Sequence, residues 1–204
     1  MNFYTIAQEI GIAVAGIIIA LITCKQYLNK YFKKTDVAKL LPKQNKMDVG
    51  VVEQLESVKE ILNADRIHIY EFHNGEHGSN NRPLYRFSCT YEVCKAGNKP
   101  VQQQCLNLPT NCMPKFVQEI MDNGKFVCTD LETLKDTMPS TYNFKKSIKV
   151  GAFYDIAIKN KEDEIIGFIA IHWFKKENFK TDNQVINKLV WYVSEHLQNS
   201  KWRR

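Results

Sequence analysis

None of the six cysteines (Cys24, Cys89, Cys94, Cys105, Cys112 and Cys128) forms a C-x-x-C pair, so neither a zinc ribbon nor a thioredoxin-type redox motif is present. P-loop, G-x-S-x-G and H-E-x-x-H patterns are also missing, which removes the commonest routes to phosphoryl transfer, serine hydrolysis and zinc proteolysis. The sequence holds no internal repeat and no low-complexity tract, which argues against a solenoid or a disordered tail. Proline and glycine are sparse, 6 and 9 in 204 residues. Charge and proline are both absent from Ile10 to Thr23, IGIAVAGIIIALIT.

That run is apolar on every side, a pattern that calls for burial in a large core or in lipid. Extended back to Phe3 it approaches the ~20 residues that span a hydrocarbon layer. A cleaved signal peptide would carry a basic region before the run and small residues after it. Here Glu9 precedes and lysines follow. The expectation is a transmembrane anchor over 1–24, then a basic juxtamembrane linker over 25–46, then a domain over 47–200. Lys25, Lys30, Lys33, Lys34, Lys39, Lys43 and Lys46 against Asp36 give the linker +6, whereas 1–24 carries −1 and 47–204 carries +1. Positive flanks stay cytoplasmic, so the N-terminus is expected outside and the domain in the cytoplasm. The lysines suit topology or anionic headgroups. The near-neutral domain argues against nucleic acid as partner. Cys24 borders the span, where it is either a palmitoylation site or an unmodified thiol. Cytoplasmic cysteines are expected as reduced thiols.

The linker starts helical and is expected to lose helix near Leu41-Pro42. Asp48 is the expected N-cap of a helix with Val51, Leu55, Val58 and Leu62 on one stripe. Arg66–Phe72 alternates as a strand and ends at His73-Asn74-Gly75, where Asn-Gly marks a turn. Further strands are expected over Leu84–Cys94, Val101–Leu106, Phe126–Thr129, Val150–Ile158 and Ile165–Phe174. A helix should start at Pro114 and stop at Asn123-Gly124. Residues 130–149 read as an irregular crossover broken at Pro139. A last helix starts at Asp182 and carries Ile186, Leu189, Val190, Val193 and Leu197 on one face. Short connections imply an antiparallel sheet. The first and last helices should cover one face of it, leaving a pocket beneath the crossover on the other.

This order, with Gly151–Ile158 (GAFYDIAI), a charged turn, Ile165–Ile171 (IIGFIAI) and Phe179-Lys180-Thr181-Asp182, resembles a GAF domain over about Val49 to Leu197. Ala157 stands where the family commonly has proline, and the EFHNG ending of the first strand is no general signature of it. The resemblance implies an α+β fold with a six-stranded antiparallel sheet and a small-molecule or regulatory pocket. GAF domains bind cyclic nucleotides, tetrapyrroles, amino acids, metals or nothing, so the cofactor stays open.

The expected pocket is lined by Tyr70, Phe72, Tyr85, Phe87 and Phe153, with His73 and Asn74 at its mouth. His73 and His77, beside Glu71 and Glu76, do not form a metal pair, because Asn74-Gly75 breaks the helix that would make them converge. The resemblance leads to a membrane-anchored sensor or regulatory module without catalytic activity. Two alternatives stand beside it: a phage-type, holin-like membrane protein with an empty GAF scaffold, and a GAF-fold methionine sulfoxide reductase using pocket cysteines. Gly11-x-x-x-Ala15 and the 51/55/58/62 stripe together point to a parallel homodimer.

Overall fold

The computed structural model describes residues 16–27, 37–77 and 81–199. It divides the chain into two compact units, Met1–Lys43 and Gln44–Arg204. In the first, residues 16–27 are helical (α1) and Ile17, Ile18, Ile19, Leu21 and Ile22 are all exposed. Among the described residues no helix is long and apolar enough to cross a membrane. Residues 1–15, which carry the start of the expected span and Gly11-x-x-x-Ala15, lie outside them.

Helix α2, Val37–Leu62, runs through Pro42 instead of breaking there. A proline in the second helical turn withdraws one backbone hydrogen bond and need not end the helix. Asp48 is therefore mid-helix rather than an N-cap, and its carboxylate accepts from the Tyr91 hydroxyl at 2.6 Å.

The second unit is built on a six-stranded sheet: β1 (Arg66–His73), β2 (Arg86–Cys94), β3 (Leu108–Pro109), β4 (Lys125–Cys128), β5 (Ala152–Lys159) and β6 (Ile165–Trp173). Its spatial order is β3-β2-β1-β6-β5-β4, and every neighbouring pair is antiparallel. The expected strand over Val101–Leu106 is instead a 3-10 turn at Gln102–Cys105. The amides of Val101 and Gln102 donate to the Glu92 carboxylate, so a side chain rather than a neighbouring strand satisfies them.

Alternation divides the sheet into two faces. Ile67, Ile69, Val93, Tyr154, Ile158, Ile169, Ile171 and Trp173 meet α2 and α5 (Asn183–Asn199) in one apolar layer. Asp182 caps α5 by accepting from the amides of Gln184 and Val185. Val51, Leu55 and Leu62 are fully buried here and Val58 nearly so. That stripe is spent on the chain's own sheet and is not the dimer seam expected of it.

The opposite face is covered by structure, not by a loose segment. Helices α3 (Pro114–Asn123) and α4 (Pro139–Ser147) lie on it with the 3-10 turn Leu131–Leu134. Helices thus flank both faces rather than one. Pro139 opens α4 at its first turn, where the missing amide costs nothing. Gly124 ends α3 in the left-handed region at φ +68°, where glycine bears no steric cost. Gly75 serves a different purpose from the expected turn: an added Cβ would stand 2.0 Å from the Leu84 carbonyl oxygen. The glycine lets two backbone segments touch.

Candidate functional site

The crossover face carries the unusual chemistry. Along β1, Arg66, His68, Tyr70 and Phe72 share it by the period of two. Register sets Glu92 of β2 opposite His68 and His172 of β6 opposite Arg66. Phe153 pairs with His172, and Asp155 follows two residues later on the same face. Lys145 comes down from α4. Arg66, His68, Lys145, Asp155 and His172 are each no more than 2% exposed. Charged groups are rarely buried without partners, so their hydrogen bonds identify what the cluster is.

The cluster has two arms. In one, the Tyr70 hydroxyl donates to His68 Nδ1 at 3.1 Å, and His68 Nε2 donates to Glu92 Oε1 at 3.0 Å. Glu92 also accepts the two amides of the 3-10 turn. Arg66 Nε lies 3.1 Å from Glu92 Oε1, an ion pair by distance without the alignment of a hydrogen bond. Arg66 donates instead to the carbonyls of Ile148 at 3.0 Å and Lys99 at 2.8 Å. In the other arm, Lys145 Nζ donates to Asp155 Oδ2 at 2.5 Å and to His172 Nε2 at 2.9 Å, and sits 4.3 Å from the centre of the Phe153 ring. His68 and His172 meet edge to face at 5.3 Å, joining the arms.

Donation by Lys145 to Nε2 places the His172 ring proton on Nδ1. Among the described residues that N–H has no hydrogen-bond partner, and neither has Asp155 Oδ1. Burial pushes the His172 and His68 pKa values down, so both rings are neutral at pH 7. Burial raises the Asp155 carboxyl to about 6 against the pull of Lys145, and lowers Lys145 against the pull of Asp155. Burial also opposes ionisation of Glu92, but the hydrogen bonds from His68, Val101 and Gln102 outweigh it and hold that carboxyl at about 2.

The expected lining residues divide into two groups. Tyr70, Phe87 and Phe153 are buried and Phe72 packs against them. Tyr70 stacks on Phe168 at 4.7 Å and meets Phe87 edge to face at 5.6 Å. His73, Asn74 and Tyr85 lie apart from that cluster. His73 Nε2 is 2.9 Å from Ser88 Oγ, Asn74 is exposed, and Tyr85 is 54% exposed. Arg66, His68, Glu92, Lys145, Asp155 and His172 were not among the expected site residues.

A cleft of about 230 Å³ opens between the first turns of α3 and α4, lined by Met113, Met138 and Thr141 among others. Thr141 precedes Lys145 by one helical turn. No group of three or more potential metal ligands occurs among the described residues. All six cysteines are free. Burial raises the thiols of Cys89, Cys94, Cys105, Cys112 and Cys128, away from the thiolate that thiol catalysis requires.

No family model and no curated protein matches the sequence. Solved structures do match the fold. The phycocyanobilin-bound GAF domain of a cyanobacterial phytochrome aligns over 81% of this chain and 93% of its own, at 14% identity and a TM-score of 0.54. The blue-light-absorbing PixJ GAF domain of Thermosynechococcus elongatus aligns over 78% and 87%, at 15% identity and 0.53. The fold is that of a GAF domain. A far-red cyanobacteriochrome photoreceptor adds a third similar structure, over 85% and 99% of the two chains, at 10% identity and 0.54. At such identities the likeness is one of GAF architecture, and the buried charged cluster is a description of this chain alone.

Proposed function

We propose that this chain is a membrane-anchored GAF-fold sensor, a ligand-binding or regulatory module without catalysis of its own. One observation carries the ligand reading. Among the described residues, the His172 Nδ1–H and Asp155 Oδ1 have no hydrogen-bond partner, and both lie within one buried cluster. Leaving buried polar groups unmet costs stability, and a polar ligand that meets both recovers it. The cleft between α3 and α4, whose lining includes Thr141 one turn before Lys145, is a way in. The bilin named for the phytochrome neighbour shows that this architecture can hold a small molecule.

The anchor reading draws on α1, whose apolar side chains at residues 17–19, 21 and 22 are each more than half exposed, and on the lysines of 25–46. A reporter fused after Arg204 should resist external protease in intact cells, and its digestion without lysis would overturn the orientation. The ligand reading is tested by native mass spectrometry of the full chain released from detergent. A retained small molecule, lost in Asp155→Asn, is the expected result. A bare polypeptide mass from fresh membranes, with no shift in melting temperature from cyclic nucleotides, tetrapyrroles or amino acids, would favour the empty scaffold. The dense packing of Tyr70, Phe87, Phe153 and Phe168 is the observation on that side.

A further inference from the structure

We infer that the cleft between residues 97–104 and the C-terminal end of α4 binds the phosphate group of a small phosphomonoester. The cleft has a volume of about 220 Å³, and its walls include Arg66, Lys99, Gln104, Ser147, Lys149 and Phe174. No lining residue is acidic.

Arg66 is the built part of the site. It is 2% exposed, its plane is held by the Ile148 and Lys99 carbonyls, and its Cζ lies 5.0 Å from the Phe174 ring centre. A guanidinium has five N–H groups in a fixed fork. Two go to those carbonyls, Nε faces Glu92, and the Cys94 thiol also lies against the guanidinium, so Arg66 offers the cleft mainly its fixed charge. The backbone of Lys149 is fixed as well. It adopts φ +67° where the backbone closes α4 through Lys149 N to Lys146 O and Val150 N to Lys145 O, both 3.0 Å. Neither Lys99 nor Lys149 has a carboxylate partner among the described residues.

Two unpaired ammonium groups and a fixed guanidinium charge match a dianion with three oxygens. A monocarboxylate would leave one lysine uncompensated. An adjoining cleft of about 450 Å³ shares Lys149 and Phe174, which gives the organic body of the ester room to lie past the phenyl ring. This inference does not depend on the ligand proposed beneath α3 and α4.

The test is calorimetric titration of the full chain in neutral-lipid nanodiscs with inorganic phosphate and with glycerol 3-phosphate, at constant ionic strength. Saturable one-site binding is expected. The pair Lys99→Gln and Lys149→Asn, both at exposed positions and the second suited to positive φ, should weaken it at least tenfold. Lys161→Gln, an exposed lysine in the β5–β6 turn, should leave it unchanged. Absence of saturable binding, equal weakening by Lys161→Gln, or full binding by the paired variant with an unchanged melting temperature would each overturn the inference. Lys99→Gln alone repeats the test should the pair fold poorly. Nanodiscs containing phosphatidate separate the two sources of the group. A lipid headgroup in the cleft abolishes the titration, and a soluble ester leaves it intact.

Discussion

Replacing Lys145 by Met keeps an unbranched stem beside Phe153 and removes only the ammonium. Asp155 is fully buried and accepts its one direct hydrogen bond from that ammonium, so the change leaves a carboxylate without compensation. Breaking one side of a buried pair costs about 3–5 kcal/mol. With a urea slope of about 1–3 kcal/mol per molar, the unfolding midpoint should fall by roughly 2 M. The cost should depend on pH. The Asp155 carboxyl, already raised to about 6 by burial, rises further once the cation is gone. A carboxyl with a raised folded-state pKa binds its proton more tightly in the native state. Its destabilising effect therefore grows as pH rises from about 4 through that raised value, by up to about 1.4 kcal/mol per unit. Lys145→Met should be mild at pH 5 and severe at pH 8. The double variant Lys145→Met/Asp155→Leu removes both charges and should regain most of the loss, because a buried pair exchanged for apolar groups is often neutral or stabilising by about 1–4 kcal/mol. Urea unfolding of the full chain in detergent, followed by the fluorescence of the fully buried Trp173, measures all three variants. A loss below about 1 kcal/mol at pH 8, or a double variant no more stable than the single, would refute the reasoning.

Glu92→Gln should lower stability at pH 7 and flatten the acid limb. With its folded-state pKa held at about 2, the carboxylate stabilises fully above about pH 5 and that contribution disappears as pH falls toward 2; a titration curve parallel to that of the unaltered chain would contradict this. Gly167→Ala should destabilise by about 1–3 kcal/mol or more, because its Cβ would stand 2.1 Å from the Tyr70 carbonyl oxygen. Gly50→Ala meets only the movable Tyr192 hydroxyl at 2.8 Å and should cost under about 1 kcal/mol; thermal denaturation compares the two, and equal losses count against the assignment. If the chain pairs in parallel through α2, cysteines placed at Val49 and Val52, both exposed, should crosslink in membranes while those at Val51 and Leu55 stay unreacted. Crosslinking at 51 and 55 instead would contradict the observed burial.

Much of the fold is legible in the sequence because period and punctuation act locally. The alternation of RIHIYEF, the Pro114 start, the Gly124 stop and the Asp182 cap each depend on a few neighbouring residues, and each appears where expected. What misleads is nonlocal. Val101–Leu106 has strand composition, yet the Glu92 carboxylate, nine residues upstream of Val101, claims its first amides. The 51/55/58/62 stripe is a good helix face, but spacing alone cannot say whether it covers a sheet or a second copy. Of the aromatic residues read as a pocket wall, Tyr70, Phe72 and Phe87 pack on one another and on Phe168, whereas Tyr85 is exposed. The chemistry lies in polar residues that interrupt apolar strands: Asp155 in AFYDIAI and His172 in FIAIHW share parity with Phe153 and Ala170, and so turn inward. That parity was visible in the sequence. Lys145, on a helix placed in the irregular crossover, had no such marker.

The two faces of the sheet also differ in what it costs to expose them. The α2/α5 layer is mainly hydrocarbon, and separating it from the sheet breaks only neutral or rim hydrogen bonds such as Trp173 Nε1–H to the Leu62 carbonyl. Lifting α4 exposes hydrocarbon too, but it also returns Lys145 and Asp155 to water, where each charge is well solvated. Rehydration offsets part of that opening, so α4 should leave the sheet at a lower free energy than its burial suggests. Native-state hydrogen exchange would then find the amides of 142–147 opening as a unit well below the global limit set by β1, β5 and β6. Helix α4 is held on the sheet in part by a charge pair whose strength depends on how dry it stays.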